Sequence, residues 1–92
     1  MFEQSFTILS ELGLHARAAT RLVQTASRFT AEVEIERDGE RVSGKSVMEV
    51  LTLFAARGSK ITVRSRGVDA EAELRAIGAL IARNFDDGPP RR

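Results

Sequence analysis

The sequence predicts an α+β two-layer sandwich: a four-stranded antiparallel sheet covered on one face by three helices. Three observations predict it. Four short stretches alternate apolar and polar residues, three others carry apolar residues at helical spacing, and the two kinds follow one another as βαββαβα. Ninety-two residues suffice for one domain with a modest core, assigned to residues 1–85, with 86–92 as a flexible C-terminal tail.

Phe2, Phe6 and Ile8 alternate with Glu3, Ser5 and Thr7, as in a strand with one buried face. Gly13 breaks the pattern. From Ala16 the period becomes helical, with Ala19, Leu22, Val23 and Ala26 on one side and Arg17, Arg21, Gln24 and Arg28 on the other. Val33 and Ile35, set between glutamates, predict the second strand. Asp38-Gly39 is a hairpin signal, and Glu40 to Ser43 returns as the third strand. Ser46 opens a second helix expected to end near Arg57-Gly58. Ile61 and Val63 mark the fourth strand. Asp69 is placed as the N-cap of the third helix, with Glu71 and Glu73 in its first turn and Leu74, Ile77, Gly78 and Ile81 facing inward. Strand order does not follow from periodicity.

Composition narrows the functions open to this chain. Its net charge of +1 supplies no bulk field for nucleic acid or an anionic membrane. Without Cys, and with one His, thiol chemistry and a structural zinc site are not expected, and no metal or cofactor is assigned. The apolar run Val50–Ala56 is far shorter than the roughly 20 residues of a membrane span. No signal peptide is visible, so the cytoplasm is the expected compartment. An RNA-binding sheet would display aromatics outward, yet the outward positions are Glu, Thr, Ser and Arg, and the chain has no Tyr or Trp.

His15 falls where the first helix begins. Helix starts present N–H groups without intrahelical partners and a partial positive charge. That environment disfavours an imidazolium and favours a neutral, nucleophilic ring. It also attracts a phosphoryl group once attached, through the N–H groups of Ala16 and Arg17. The Arg17 guanidinium adds a forked donor. At about 4 Å and an effective dielectric near 20, such a pair is worth roughly 4 kcal/mol before desolvation. A phosphate-binding glycine loop and a magnesium-holding acidic pair are both missing from the sequence, which fits an acceptor served by other enzymes rather than a self-sufficient catalyst. The structural alternative is a His that merely caps the helix.

Ser46 and Glu49 form a capping box, with the hydroxyl on the Glu49 N–H and the carboxylate back on the Ser46 N–H. The helix they open is too apolar for one buried stripe. Val50, Leu53 and Phe54 are expected to face the sheet, leaving Val47, Met48 and Leu51 beside Thr52 as a partner surface.

Gly13-Leu14-His15-Ala16-Arg17 resembles the active-site motif of the HPr family, the histidine-containing phosphocarriers of the bacterial phosphotransferase system. Lys45-Ser46-Val47-Met48-Glu49-Val50-Leu51-Thr52-Leu53 resembles that family's regulatory-serine segment. Length, element order and the spacing of the two blocks agree over nearly the whole chain. The resemblance implies an open-faced β-sandwich, phosphorylation of His15 at ring Nδ1 by phospho-enzyme I, and onward transfer to enzyme IIA domains. It also implies phosphorylation of Ser46 by HPr kinase/phosphorylase, which is compatible with a capping role. Docking is assigned to Thr20, Arg21, Lys45, Val47, Met48, Leu51 and Thr52, on a monomer. A regulatory paralogue using the same His15 chemistry for nitrogen or carbon control is the alternative. Two positions depart from the family: Ala18 stands where proline is usual, and Phe54 where a small residue is common. Phe54 either enlarges the docking patch or crowds the His15 loop.

Overall fold

The computed structural model describes residues 1–86; of the tail expected from 86 onward only Asp86 is described, in a short turn with Asn84 and Phe85, and residues 87–92 lie outside the described residues. The four alternating stretches form strands β1 (Phe2–Thr7), β2 (Glu32–Arg37), β3 (Glu40–Ser43) and β4 (Lys60–Arg66), joined in one sheet in the order β1-β4-β2-β3. All pairings are antiparallel. Val63 on β4 lies between Gln4 and Ile35 of its two neighbours. Asp38 and Gly39 both have positive φ, 51° and 86°, so the hairpin turn has the two left-handed residues that suit strand twist.

The inward residues Val33, Ile35, Val42, Ile61 and Val63 meet the helices α1 (Ala16–Ala26), α2 (Val47–Leu51) and α3 (Ala70–Ala82) in one apolar core. Helix α1 buries Ala18, Ala19, Leu22 and Ala26, and the small side chains let it lie close to its neighbours. Leu74, Ile77 and Ile81 form the buried stripe of α3, and Gly78 leaves room for the Phe6 ring, which a Cβ there would approach to 3.1 Å. The opposite face of the sheet is polar and self-paired. Arg64 reaches Glu3 at 2.8 Å and Glu36 at 2.6 Å, with Arg41 also on Glu36 at 3.4 Å.

Five expectations need correction. Phe2, expected on the buried face of β1, is 44% exposed at the start of the strand; only Phe6, half-buried against Gly78, and Ile8 just beyond the strand turn inward. Helix α2 ends at Leu51, not near Gly58, because Phe54 turns to a left-handed φ of 49° and the chain leaves the helix. Phe54 accordingly points away from the sheet, while Val50 and Leu53 are buried as expected. The Glu49 carboxylate accepts from the Ser43 N–H at 3.1 Å instead of closing on Ser46; only the hydroxyl half of the box forms, at 3.2 Å. Asp69 occupies the N-cap of α3, but its side chain makes no cap bond. It accepts instead from the backbone N–H groups of Thr30 and Ala31 at 2.9 and 2.8 Å. These bonds, Thr30 foremost, hold its carboxyl below the usual range.

Glu73 is fully buried. Neither its carboxylate oxygens nor the Ser65 hydroxyl makes a hydrogen bond among the described residues. Burial therefore outweighs the influence of the nearby Ser65 hydroxyl and Lys45 ammonium, and pushes the Glu73 carboxyl up. After α3, Asn84, Phe85 and Asp86 form a short turn with positive φ throughout. It buries the Phe85 ring and pairs Asp86 with Arg83 at 2.8 Å.

Candidate functional site

The loop from Ile8 to His15 is tied to the distant segment 55–59 by backbone bonds. Ile8 N donates to Ser59 O at 2.9 Å, Gly58 N to Ile8 O at 2.8 Å, and Leu14 N to Ala55 O at 2.8 Å. Gly13, with φ of 69°, is required at this junction: a Cβ would sit 2.3 Å from Ala55 O and 2.8 Å from the Ala56 Cα. Leu14 drives its side chain into the core, and the next residue, His15, is left half-exposed at the N-cap of α1. The His15 backbone is extended (φ −73°, ψ 177°), and its carbonyl receives the Ala19 N–H at 2.8 Å, the first bond of the helix.

The N–H groups of Ala16, Arg17 and Ala18 lie ahead of that first bond, where a helix has no carbonyl of its own to offer. His15 contributes no side-chain cap bond, and the first turn contains no acid. The positive end of α1 is thus not neutralised by its own side chains. Arg17 is exposed in the same turn. Ala18, where proline was the family expectation, is fully buried and continues the helix without a break.

The other predicted residues spread along α1 and α2. The Thr20 hydroxyl donates to Ala16 O at 2.8 Å, folding back on the helix. Arg21 reaches across to the Phe85 carbonyl. Lys45 donates to the Phe29 carbonyl at 2.7 Å, beyond the C-terminus of α1. Eleven residues of helix rise about 16 Å, so Lys45 and the adjacent Ser46 stand at the opposite end of α1 from His15. Helix α2 then runs back toward the histidine, and Ala55 meets Leu14. Val47 and Leu51 pack partly on the core, whereas Met48 and Thr52 are exposed.

Two contributors were not singled out from sequence. Arg37, at the end of β2, donates to the Leu53 carbonyl at 3.1 Å and fixes the exit of α2. Ala55 anchors the His15 loop through its carbonyl. Both act across long sequence separations, and neither residue type carries a local signal.

This architecture and site define a small α+β domain built around one imidazole at a helix start. Residues 2–83 match the family model described as the PTS HPr component phosphorylation site. The chain belongs to the HPr family of phosphotransferase-system phosphocarriers. It is 41% identical over 88 residues to the phosphocarrier protein HPr of Cupriavidus necator, covering 96% of this chain and 99% of that protein. It is 45% identical over 85 residues to the phosphocarrier protein NPr of Shewanella violacea, covering 92% and 93% of the two chains. Among solved structures, HPr-C-His from Thermoanaerobacter tengcongensis superimposes with a TM-score of 0.92 at 34% identity, over 95% of this chain and 98% of that one. A dimeric HPr from the same organism matches with a TM-score of 0.75 at 35% identity, over 92% and 98%. No helix among the described residues is long and apolar enough to cross a membrane.

Proposed function

We propose that this chain accepts a phosphoryl group on His15 from phospho-enzyme I and donates it to enzyme IIA domains. The lone pair of one ring nitrogen, Nδ1 in the family, forms the bond to phosphorus as the donor's bond breaks. Arg17 and the N–H groups of Ala16 and Arg17 steady the resulting charge. The observation that carries this reading is the position of the chain's only histidine: half-exposed, at the start of a helix whose first turn holds no acid. The carrier acts as a cytoplasmic monomer that docks its partners through the exposed parts of α1 and α2.

Ser46 is proposed as a second, regulatory phosphorylation site for HPr kinase/phosphorylase. It stands at the far end of α1, so its phosphate would act on docking and not directly on the imidazole. A second reading, a regulatory paralogue with the same His15 chemistry, draws support from the similarity to NPr.

The test is incubation with phosphoenolpyruvate and enzyme I. An acid-labile, alkali-stable phosphate is expected on the wild-type chain and none on His15→Ala; undiminished labelling of that variant would remove His15 from the mechanism. A serine phosphate has the reverse stability, which separates the two sites. Transfer rates to enzyme IIA domains of sugar-uptake and of regulatory type discriminate between the two readings.

A further inference from the structure

The turn that follows α3 is costly to hold. Asn84, Phe85 and Asp86 take φ values of 56°, 56° and 63°, three successive residues with side chains in the left-handed region. Tertiary contacts impose it. The Phe85 ring is fully buried in the core, Asp86 N donates to Arg83 O at 3.1 Å, and Arg83 Nε pairs with the Asp86 carboxylate at 2.8 Å. The turn presents a carbonyl to α1: Phe85 O accepts from Arg21 Nη1. Backbone strain of this kind persists where its surroundings over-determine it, and it collects at functional positions.

The side chain held by this carbonyl differs from its neighbours. On the polar side of α1, Arg17 and Arg28 are exposed, whereas Arg21 is half-buried with one arm of its guanidinium fixed. Arg17 and Arg21 are four positions apart and share one face, and helical side chains lean toward the N-terminus, here toward His15. The Cα of Arg21 lies about 9 Å along the axis from that of His15, within the combined reach of an arginine and a phosphorylated imidazole. Asp86, the acid beside this contact, is engaged by Arg83, which together with the more distant Arg21 holds its carboxyl below the usual range.

We propose that Arg21 is a second phosphate-binding cation of the carrier site, held ready behind Arg17 by the turn after α3, and that it contacts the phosphoryl group once His15 carries it. This deepens the carrier reading and rests on it. A guanidinium has donors on separate arms, so Arg21 can keep its bond to the Phe85 carbonyl while another N–H meets a phosphate oxygen.

The experiment uses the isolated phosphoprotein, made with phosphoenolpyruvate and enzyme I and then freed of enzyme, so that partner docking does not enter the measurement. Wild type, Arg21→Lys and Arg21→Gln are compared for the NMR titration of the phosphorylated His15 ring, the half-life of its phosphate and the thermal midpoint. Arg21→Gln is expected to raise the ring titration by about half a pH unit, the size of one charge several ångströms away in largely aqueous surroundings. Its phosphate should be lost about threefold faster above that titration, because the protonated ring is the better leaving group. Arg21→Lys keeps the charge and should stay close to wild type. A lower thermal midpoint for Arg21→Gln with titration and half-life unchanged would reduce Arg21 to a strut for the turn, overturning the assignment while leaving the carrier reading intact. Failure of the wild-type chain to acquire phosphate on His15 would overturn both.

Discussion

The starts of α1 and α2 are built from opposite choices. At α2, the Ser46 hydroxyl occupies the Glu49 N–H, and an acid sits in the first turn with its carboxylate on the Ser43 N–H. That helix start is satisfied from within. At α1, the N-cap is an imidazole making no cap bond, and the first turn is Ala16-Arg17-Ala18 with no acid. Side-chain capping and first-turn acids are ordinary ways to stabilise a helix. Their omission leaves the start of α1 without an acid of its own, as the proposed carrier role requires, and this segment is held instead by Leu14 in the core and the bond to Ala55.

The contrast can be broken from either side. The largest effect is expected at the junction that holds the His15 loop. Gly13→Ala forces a Cβ against Ala55 O at a φ of 69°, and should cost at least about 2 kcal/mol in chemical denaturation while sharply reducing acceptance of phosphate. Stability equal to wild type would show that the loop relaxes freely. Ala16→Asp gives α1 the acid that α2 already has. Thermal stability should rise slightly, by about 0.3–1 kcal/mol, while phosphoryl transfer from enzyme I slows about tenfold, as expected for a carboxylate set beside the developing charge. A variant that transfers at the normal rate would show that the unneutralised helix end is irrelevant to the chemistry. Ser46→Ala makes the reciprocal change, removing the cap of α2. Loss of about 1 kcal/mol is expected, with transfer to and from His15 preserved.

The smallest effect concerns the third helix start. Glu73 lies in the first turn of α3 yet is buried, and its carboxyl is pushed up by that burial. The folded chain therefore holds this proton more tightly than the unfolded chain. The Glu73 contribution is fully present below the unfolded value of about 4.3 and is lost as pH rises through the higher folded value. Glu73→Gln removes that loss, so its melting temperature should exceed wild type by a margin that grows from pH 4 to pH 8. A margin growing toward acid would mean that the ionised carboxylate is the stabilised form. Asp69 carries the opposite dependence, but it is common to both proteins and cancels in the difference.

The same contrast explains what could be read in advance. Alternation located every strand, Asp38-Gly39 located the hairpin, and the change of period after Gly13 located His15 at a helix start, because each is written in adjacent residues. The end of α2 was not legible. Its apolar run continues through Phe54 to Ala56, and the left-handed turn there is imposed by Arg37 and Leu14, which lie far away in sequence. Asp69 looked like a cap because acids before helices usually are; its partners Thr30 and Ala31 arrive only with the tertiary fold. Glu73 was read as a first-turn acid suited to the helix dipole, and its burial likewise arrives only with the tertiary fold. For the candidate site, the histidine and its place at a helix start were visible and the tertiary contacts that hold it were not.

The link from Leu14 to Ala55 spans more than forty positions of chain, and it forms only when the core of the domain has closed around both. An extended or partly denatured copy retains the imidazole but has neither the aligned amides nor the shaped approach to it. If His15 carries phosphate as proposed, competence for exchange and cooperative folding are one event, and misfolded copies would be silent bystanders in the relay instead of leaks from it.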